Sequence, residues 1–471
     1  MGLVFYHSPG CPGAGGRGLR CAASGAAATA PRWSAAACAG TLRATMGVDD
    51  STASGPPPAS LRDDRSASPS PLDGEGPGRV DLGVQALSDD SGTTAAGPLL
   101  PDPFLHVGDD RIYSPLTDRL LVDGDPLYAA LRSVLDGSGS AERLPEAQRR
   151  RLHADRWLLR DPAARAYDFR LKYVSIETHT VCNQRCFFCP VSFEQRHSHF
   201  METRFFERIV LELTAWRETI EAVWLMLYNE PSLDRRMVEQ CLTLERAGLP
   251  AAINTNASAF TPAKTDELVA AGGIGFLSVN LSTFDRAAYA RDRGADQLDQ
   301  VLRNVDHMKD RPLAREMVLM VLGQRDEDHE RQIAAAHQRY GGSRFRIVSD
   351  EIMDRAGFLA VGRKVRQGGG RLAGCENVGS RPLQHLHVTP HGKVVLCCQD
   401  YDATHVVGDL HRESVAEVLG GERLAEMRRQ AYGLSPAAED FMCSSCVFAL
   451  RDHSAVAAGA GEPTALLPVL G

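Results

Sequence analysis

The sequence predicts an α/β protein built on a parallel sheet, on three observations. Between Lys172 and Val348 short apolar runs alternate with helix-length amphipathic segments, the order of parallel strands joined by right-handed crossovers. Six such runs fit an incomplete (β/α)6 barrel rather than a closed eight-stranded one. The 12 cysteines of the 471-residue chain are unevenly placed, with one group in the loop after the first run and another in the C-terminal quarter. A chain that is 43% hydrophobic and 24% charged is too rich in core-forming residues to be disordered throughout. Its net charge of −8 gives no global attraction to nucleic acid or an anionic membrane. No apolar run approaches the ~18 residues that span a bilayer, so a soluble protein is expected.

Taken in order, residues 1–101 are rich in Gly, Ala, Ser and Pro without hydrophobic periodicity, and are expected to be disordered. Arginines Arg17, Arg20, Arg32 and Arg43 precede Met46 and acids follow it, which makes Met46 a candidate start. Cys11, Cys21 and Cys38 lie here without partner spacing. Residues 102–165 read as a small α/β accessory or recognition unit. Its short strands lie at 111–113 and 119–122, and a helix carries Leu127, Leu131, Val134 and Leu135 on one face. Arg149, Arg150 and Arg151 read as the solvated face of the next helix.

Residues 170–350 form the expected barrel core. Its strands are predicted at 173–176, 222–227, 251–253, 276–279, 317–321 and 345–348, with helices at 203–218, 235–247, 262–271, 296–309 and 328–340. In such barrels the reactive groups sit at the carboxyl ends of the strands. Residues 370–450 are expected to form a small α+β cluster-binding extension, and 451–471 a flexible tail.

The loop after the first strand reads Cys182-Asn183-Gln184-Arg185-Cys186-Phe187-Phe188-Cys189. Three thiolates at C-x3-C-x2-C can fold around one metal centre, either an iron–sulfur cluster with an open iron or zinc completed by His179 or His197. The spacing, with Phe188 before the last cysteine, resembles the signature of the radical S-adenosylmethionine (SAM) superfamily. That resemblance implies that Cys182, Cys186 and Cys189 bind three irons of a [4Fe–4S] cluster and that SAM binds the fourth. Reductive cleavage of SAM then yields a 5′-deoxyadenosyl radical that abstracts a substrate hydrogen. It also implies SAM-binding roles for residues at later strand ends. These are Glu230 before Pro231, the segment Asn254-Thr255-Asn256 with Ala257 in place of the family's glycine, Ser278, and Arg293 before Gly294.

The C-terminal cysteines are Cys375, the pair Cys397-Cys398 five residues after Gly392, and Cys443-Ser444-Ser445-Cys446. Their thiolate count suits a closed site, either structural zinc or a fully ligated cluster. Gly-x4-Cys followed by Gly408-Asp409-Leu410 and C-x2-C is similar to the SPASM/twitch extensions of radical SAM enzymes. This implies an auxiliary [4Fe–4S] cluster on Cys375, Cys397, Cys443 and Cys446, in the shorter, twitch-like form. Cys398 reads as a neighbour pointing the other way along the strand, and Cys241 as a core residue.

The resemblance implies a radical SAM oxidoreductase of natural-product tailoring, in which the auxiliary cluster accepts an electron from a sugar or aminocyclitol. Maturation of a ribosomally made peptide or protein is the alternative, and an iron–sulfur electron carrier or zinc-binding protein the non-enzymatic one. A flavodoxin- or ferredoxin-type electron donor and a cytoplasmic location follow from the need for reductant and reduced thiolates. No general base is assigned; Tyr228, His329 and Asp350 are candidates by position.

Overall fold

The computed structural model describes residues 97–362, 370–452 and 469–470, the last two by backbone only. The segment 1–96, with the Met46 start and Cys11, Cys21 and Cys38, lies outside the described residues, as do 453–468 of the expected tail.

The chain enters through β1 (His106–Gly108), β2 (Arg111–Ser114) and β3 (Arg119–Val122), an antiparallel sheet closed by α1 (Pro126–Leu135) and α2 (Glu146–Ala154). Helix α1 starts where the sequence dictates. The Asp125 side chain accepts the Leu127 N–H at 2.7 Å, and Pro126 fills the first position, where no amide is needed. Leu105, Ile112, Leu131, Leu152 and Trp157 give this unit its own core. Leu100–Pro101, at the end of the segment expected to be disordered, pairs with Leu158–Leu159. At the far end Val469–Leu470 pairs in parallel with Val107–Gly108.

The core follows as β4 (Tyr173–Ile176), α3 (Thr203–Leu213), β5 (Ala222–Trp224), α4 (Met237–Arg246), β6 (Ala251–Thr255), α5 (Pro262–Ala270) and β7 (Ile274–Asn280). It continues with α6 (Arg286–Arg293), α7 (Leu298–Met308), β8 (Ala314–Gly323), α8 (Glu327–Tyr340) and β9 (Phe345–Glu351). The strands pair in parallel in chain order, with Val174 opposite Val223, Ile253 opposite Leu277 and Met320 opposite Val348. Central strands covered on both faces need apolar side chains at every position, which is why they read as runs rather than alternations. All six predicted strands and five predicted helices are present. The unpredicted helix α6, sequence RAAYARDR, buries little besides Tyr289 and Arg293 and so lacks an apolar stripe.

The extension comprises β10 (Arg371–Cys375), α9 (Arg381–Gln384), β11 (His385–Val388), β12 (Lys393–Val395), β13 (Val406–Asp409), α10 (Val415–Leu419), α11 (Glu422–Ala431) and β14 (Ala449–Asp452). Its strands continue the barrel sheet. Strand β11 lies parallel beside β4, with Leu386 opposite Val174, and β12 and β13 follow in antiparallel order, giving nine strands in an open sheet. The β11–β12 turn closes at Gly392 (φ 73°), where a Cβ would meet the Phe205 and His411 rings at 2.8 Å. Separately, β10 and β14 form an antiparallel ribbon. No helix among the described residues is long and apolar enough to cross a membrane.

Candidate active site and cluster cavities

Cys182, Cys186 and Cys189 occupy the loop that leaves β4, with Cys186 and Cys189 buried and Cys182 half-buried. Two neighbours clamp this loop. The N–H groups of Arg185 and Phe187 donate to the carbonyls of Arg293 and Asp292, at 2.7 and 3.1 Å, at the end of α6. Gly294 turns that helix end into the left-handed region (φ 62°), and a Cβ there would lie 2.9 Å from Cβ of Arg185. Glycine therefore permits both the turn and the close approach. From the other side the Glu230 N–H donates to the Val181 carbonyl at 2.9 Å. Burial, with Glu230 and the two other thiols, pushes Cys182 up to about 12, so a metal must displace a proton to bind there.

Arg293 is buried and its guanidinium reaches three groups at once. Nη2 donates to Asn280 Oδ1 at 2.7 Å and Ser282 Oγ at 2.9 Å, and Nη1 lies 3.7 Å from Cys186 Sγ. The Phe188 ring stacks against it with 5.0 Å to the centroid. The Glu230 carboxylate is fully buried. Its Oε1 accepts from Ser232 Oγ at 2.6 Å and Thr255 Oγ1 at 2.5 Å, and its Oε2 from the Asn256 N–H at 2.7 Å. Burial raises its pKa while these hydrogen bonds oppose the rise. Asn256 Nδ2 donates to Asn183 Oδ1 at 3.1 Å, joining this carboxylate network to the cysteine loop. Ala257 takes the left-handed conformation (φ 60°) in place of glycine, and Asn304 Nδ2 donates to its carbonyl at 2.8 Å. Asn254 and Ser278 are buried opposite each other on β6 and β7. The residues named from the sequence around the first cysteine set thus gather at the carboxyl ends of β4 to β7.

Sequence reasoning missed Asn280, Asn183 and an ion pair between buried Glu177 and part-exposed Arg196 after β4. Glu177 holds Arg196 in a two-pronged pair at 2.6 and 2.8 Å and accepts the Tyr228 N–H at 2.9 Å. The Arg196 guanidinium lies over the Tyr228 and Tyr401 rings. These partners are distant in sequence and share no motif. The positional base candidates are engaged in structural contacts. Tyr228 is buried and its hydroxyl donates to the Cys398 carbonyl at 2.7 Å, while burial raises its pKa. His329 accepts the Arg325 N–H on Nδ1 and meets the Val321 carbonyl through Nε2. Asp350 Oδ1 accepts the Glu351 N–H at 2.8 Å.

Cys375, Cys397, Cys443 and Cys446 line a single cavity with Arg381, otherwise walled by groups such as Leu396, Met442 and Phe448. Cys375 ends β10, Cys397 follows β12, and Cys443 and Cys446 come from the 3₁₀ turn Met442–Ser445 and its cap. A hydrogen bond from Cys398 and the charge of Arg381 lower the Cys397 pKa. Cys398 does not line the cavity, and Cys241 is buried on α4. Among the described residues no group of three or more His, Cys, Asp or Glu is drawn together tightly enough for one metal ion. His179, a possible zinc ligand, instead accepts the Val181 N–H on Nδ1 and stacks on Phe200. Four thiols around one cavity are a donor set that fits a fully ligated iron–sulfur cluster.

Residues 176–363 match the radical SAM superfamily, and residues 375–447 match the SPASM iron–sulfur cluster-binding domain. The chain belongs to the radical SAM superfamily. As a radical SAM protein with a C-terminal SPASM domain, it uses a SAM-binding [4Fe–4S] cluster, SAM and auxiliary iron–sulfur chemistry. Among solved structures this radical SAM chain is similar to BtrN in complex with AdoMet and 2-DOIA, with 16% identity over 56% of this chain and 87% of that one, TM-score 0.39. It is also similar to Streptococcus suis SuiB bound to precursor peptide SuiA, with 10% identity over 74% and 93%, TM-score 0.45. Native anSMEcpe with bound AdoMet shares 12% identity over 59% and 86%, TM-score 0.41. No curated protein sequence matches the chain.

Proposed function

We propose that this radical SAM enzyme is an oxidoreductase that removes two electrons from its substrate. Four thiols around one cavity carry this reading, because four protein ligands leave no open iron for substrate. Cys182, Cys186 and Cys189 hold the cluster that binds SAM, and Glu230, Asn254, Thr255, Asn256, Ser278 and Arg293 form the SAM surroundings. When bound, the first cluster and SAM supply a 5′-deoxyadenosyl radical, and the auxiliary cluster supplies a one-electron acceptor. Bound there, these groups would provide for loss of one hydrogen atom, one electron and one proton from the substrate, which would leave it with a new double bond. Buried Glu177 holds the part-exposed Arg196 beside buried Tyr228 where the chain leaves β4. A sugar or aminocyclitol in a tailoring pathway is the proposed substrate, with a flavodoxin- or ferredoxin-type donor and a cytoplasmic setting.

One observation favours a second reading, modification of a peptide or protein. Strand β3 is the edge of its sheet and exposes Leu120 and Val122 at 53% and 50%. An open apolar edge is what an extended peptide can extend by strand addition. That role falls to the 102–165 unit.

Anaerobic reconstitution with SAM and dithionite tests the reading. 5′-Deoxyadenosine is expected, and its absence with both clusters intact overturns the assignment. Aminocyclitols and sugars are then compared with peptides. A product two hydrogens lighter supports oxidation, and a redox-neutral product refutes it.

A further inference from the structure

Arg381 is almost wholly buried, 2% exposed, at the first position of the one-turn helix α9. Its Nη1 lies 3.6 Å from Cys397 Sγ, and its guanidinium stands 5.6 Å from the Phe448 ring centroid. The charge of Arg381 also acts on the Cys375 thiol, so one residue addresses two of the four thiols. Pro382, Leu396, Met442, Phe448 and Ala449 surround it in the same cavity, an environment of low polarizability in which a fixed charge acts strongly.

We propose that Arg381 raises the reduction potential of the auxiliary cluster and so makes it a competent electron acceptor, an inference that rests on the auxiliary-cluster reading above. A cluster bound by four thiolates is anionic, and each added electron increases that charge. A buried cation and N–H donors to its sulfurs stabilise the reduced form more than the oxidised one. The electron that Arg381 favours is the one released by the substrate radical as its proton leaves.

The test uses the full chain with Cys182, Cys186 and Cys189 changed to Ala, so that only the auxiliary cluster is loaded, and follows the cluster by redox titration with EPR detection. Arg381→Met is expected to move the midpoint at least 59 mV more negative, a tenfold fall in the one-electron reduction equilibrium. Arg381→Lys, which keeps the charge without the planar fork, is expected to move it less in the same direction. If the Met variant holds no iron, the Lys variant decides by the same sign. A midpoint unmoved or raised in a variant whose iron content and EPR signal match the parent overturns the proposal and leaves the auxiliary-cluster reading standing. A parent that binds no cluster, with folding confirmed by circular dichroism, overturns both.

Discussion

The Tyr228 hydroxyl donates a 2.7 Å hydrogen bond to the carbonyl oxygen of Cys398, joining the segment after β5 to the residue beside Cys397. Both groups are buried, so the contact is a dry tie between the barrel and its extension. Tyr228 also packs edge-on against Tyr401, 4.8 Å between ring centroids. Tyr228→Phe keeps that packing and leaves the carbonyl without this donor, at a cost of about 1–3 kcal/mol. The expected outcome is a lower urea midpoint and faster chelator extraction of auxiliary iron, with the iron on the first cysteine set retained. Equal extraction rates in both proteins would show that the tie does not hold the auxiliary site.

The clamp on the first cysteine loop predicts the opposite pattern. Gly294→Ala forces a Cβ to within 2.9 Å of Arg185 Cβ and 3.1 Å of its carbonyl oxygen, in a conformation that costs a non-glycine residue about 1–2 kcal/mol. The loop must then move off the end of α6, losing the amide bonds of Arg185 and Phe187. Iron analysis should show the SAM-binding cluster lost or halved and the auxiliary cluster present, with little 5′-deoxyadenosine formed. Full occupancy of both clusters in this variant would remove the clamp from the account.

The contrast between these two sites shows what was legible beforehand. Barrel strands such as Met317 to Val321 announced themselves because a strand buried on both faces must be apolar throughout. The cysteine spacings were legible because ligands of one cluster are recruited from short loops with little freedom to vary. Helix α6 was not, because its role is to present Arg293, Asp292 and Gly294 to the cysteine loop rather than to bury a stripe. The pairing of β11 with β4 was equally hidden: more than 200 residues separate them in the chain, and nothing local in His385 to Val388 specifies that partner. Glu177 with Arg196, and Arg381 with Cys397, are also products of tertiary contact. Strand-end glutamates were readable as a class, but the use of the Glu230 carboxylate by Ser232, Thr255 and Asn256 depends on two segments far apart in the chain.

That use makes Glu230→Gln informative. One acceptor oxygen becomes an NH2 group facing donors, either the hydroxyls of Ser232 and Thr255 or the Asn256 amide. Whichever way the amide turns, at least one charge-assisted hydrogen bond is lost, worth about 1.5–3 kcal/mol. Asn256 then loses its anchor, and with it the link to Asn183 in the cysteine loop. Affinity for SAM, measured by equilibrium dialysis on the reconstituted enzyme, should fall at least tenfold with both clusters retained. Unchanged affinity would mean that the Glu230 network does not shape the SAM site.

Acid sensitivity can be traced to a buried histidine packed beside Gly374, the residue before Cys375. His106 on β1 meets the Tyr432 hydroxyl at 2.8 Å and is 3% exposed, and burial lowers its pKa to about 3. The unfolded chain titrates this group near 6.5. Between those values the unfolded state holds more protons, so stability rises with pH there. The contribution is complete above about 6.5 and is lost as pH falls toward 3. From pH 7 to 5.5 this one group should cost roughly 1 kcal/mol. His106→Gln keeps a polar group opposite Tyr432 and abolishes the titration. Its unfolding free energy, whatever its value at pH 7, should fall by about 1 kcal/mol less than that of the parent over the same interval. Because every other titrating group is common to both proteins, the difference in slope isolates His106, and equal slopes would place the acid sensitivity elsewhere.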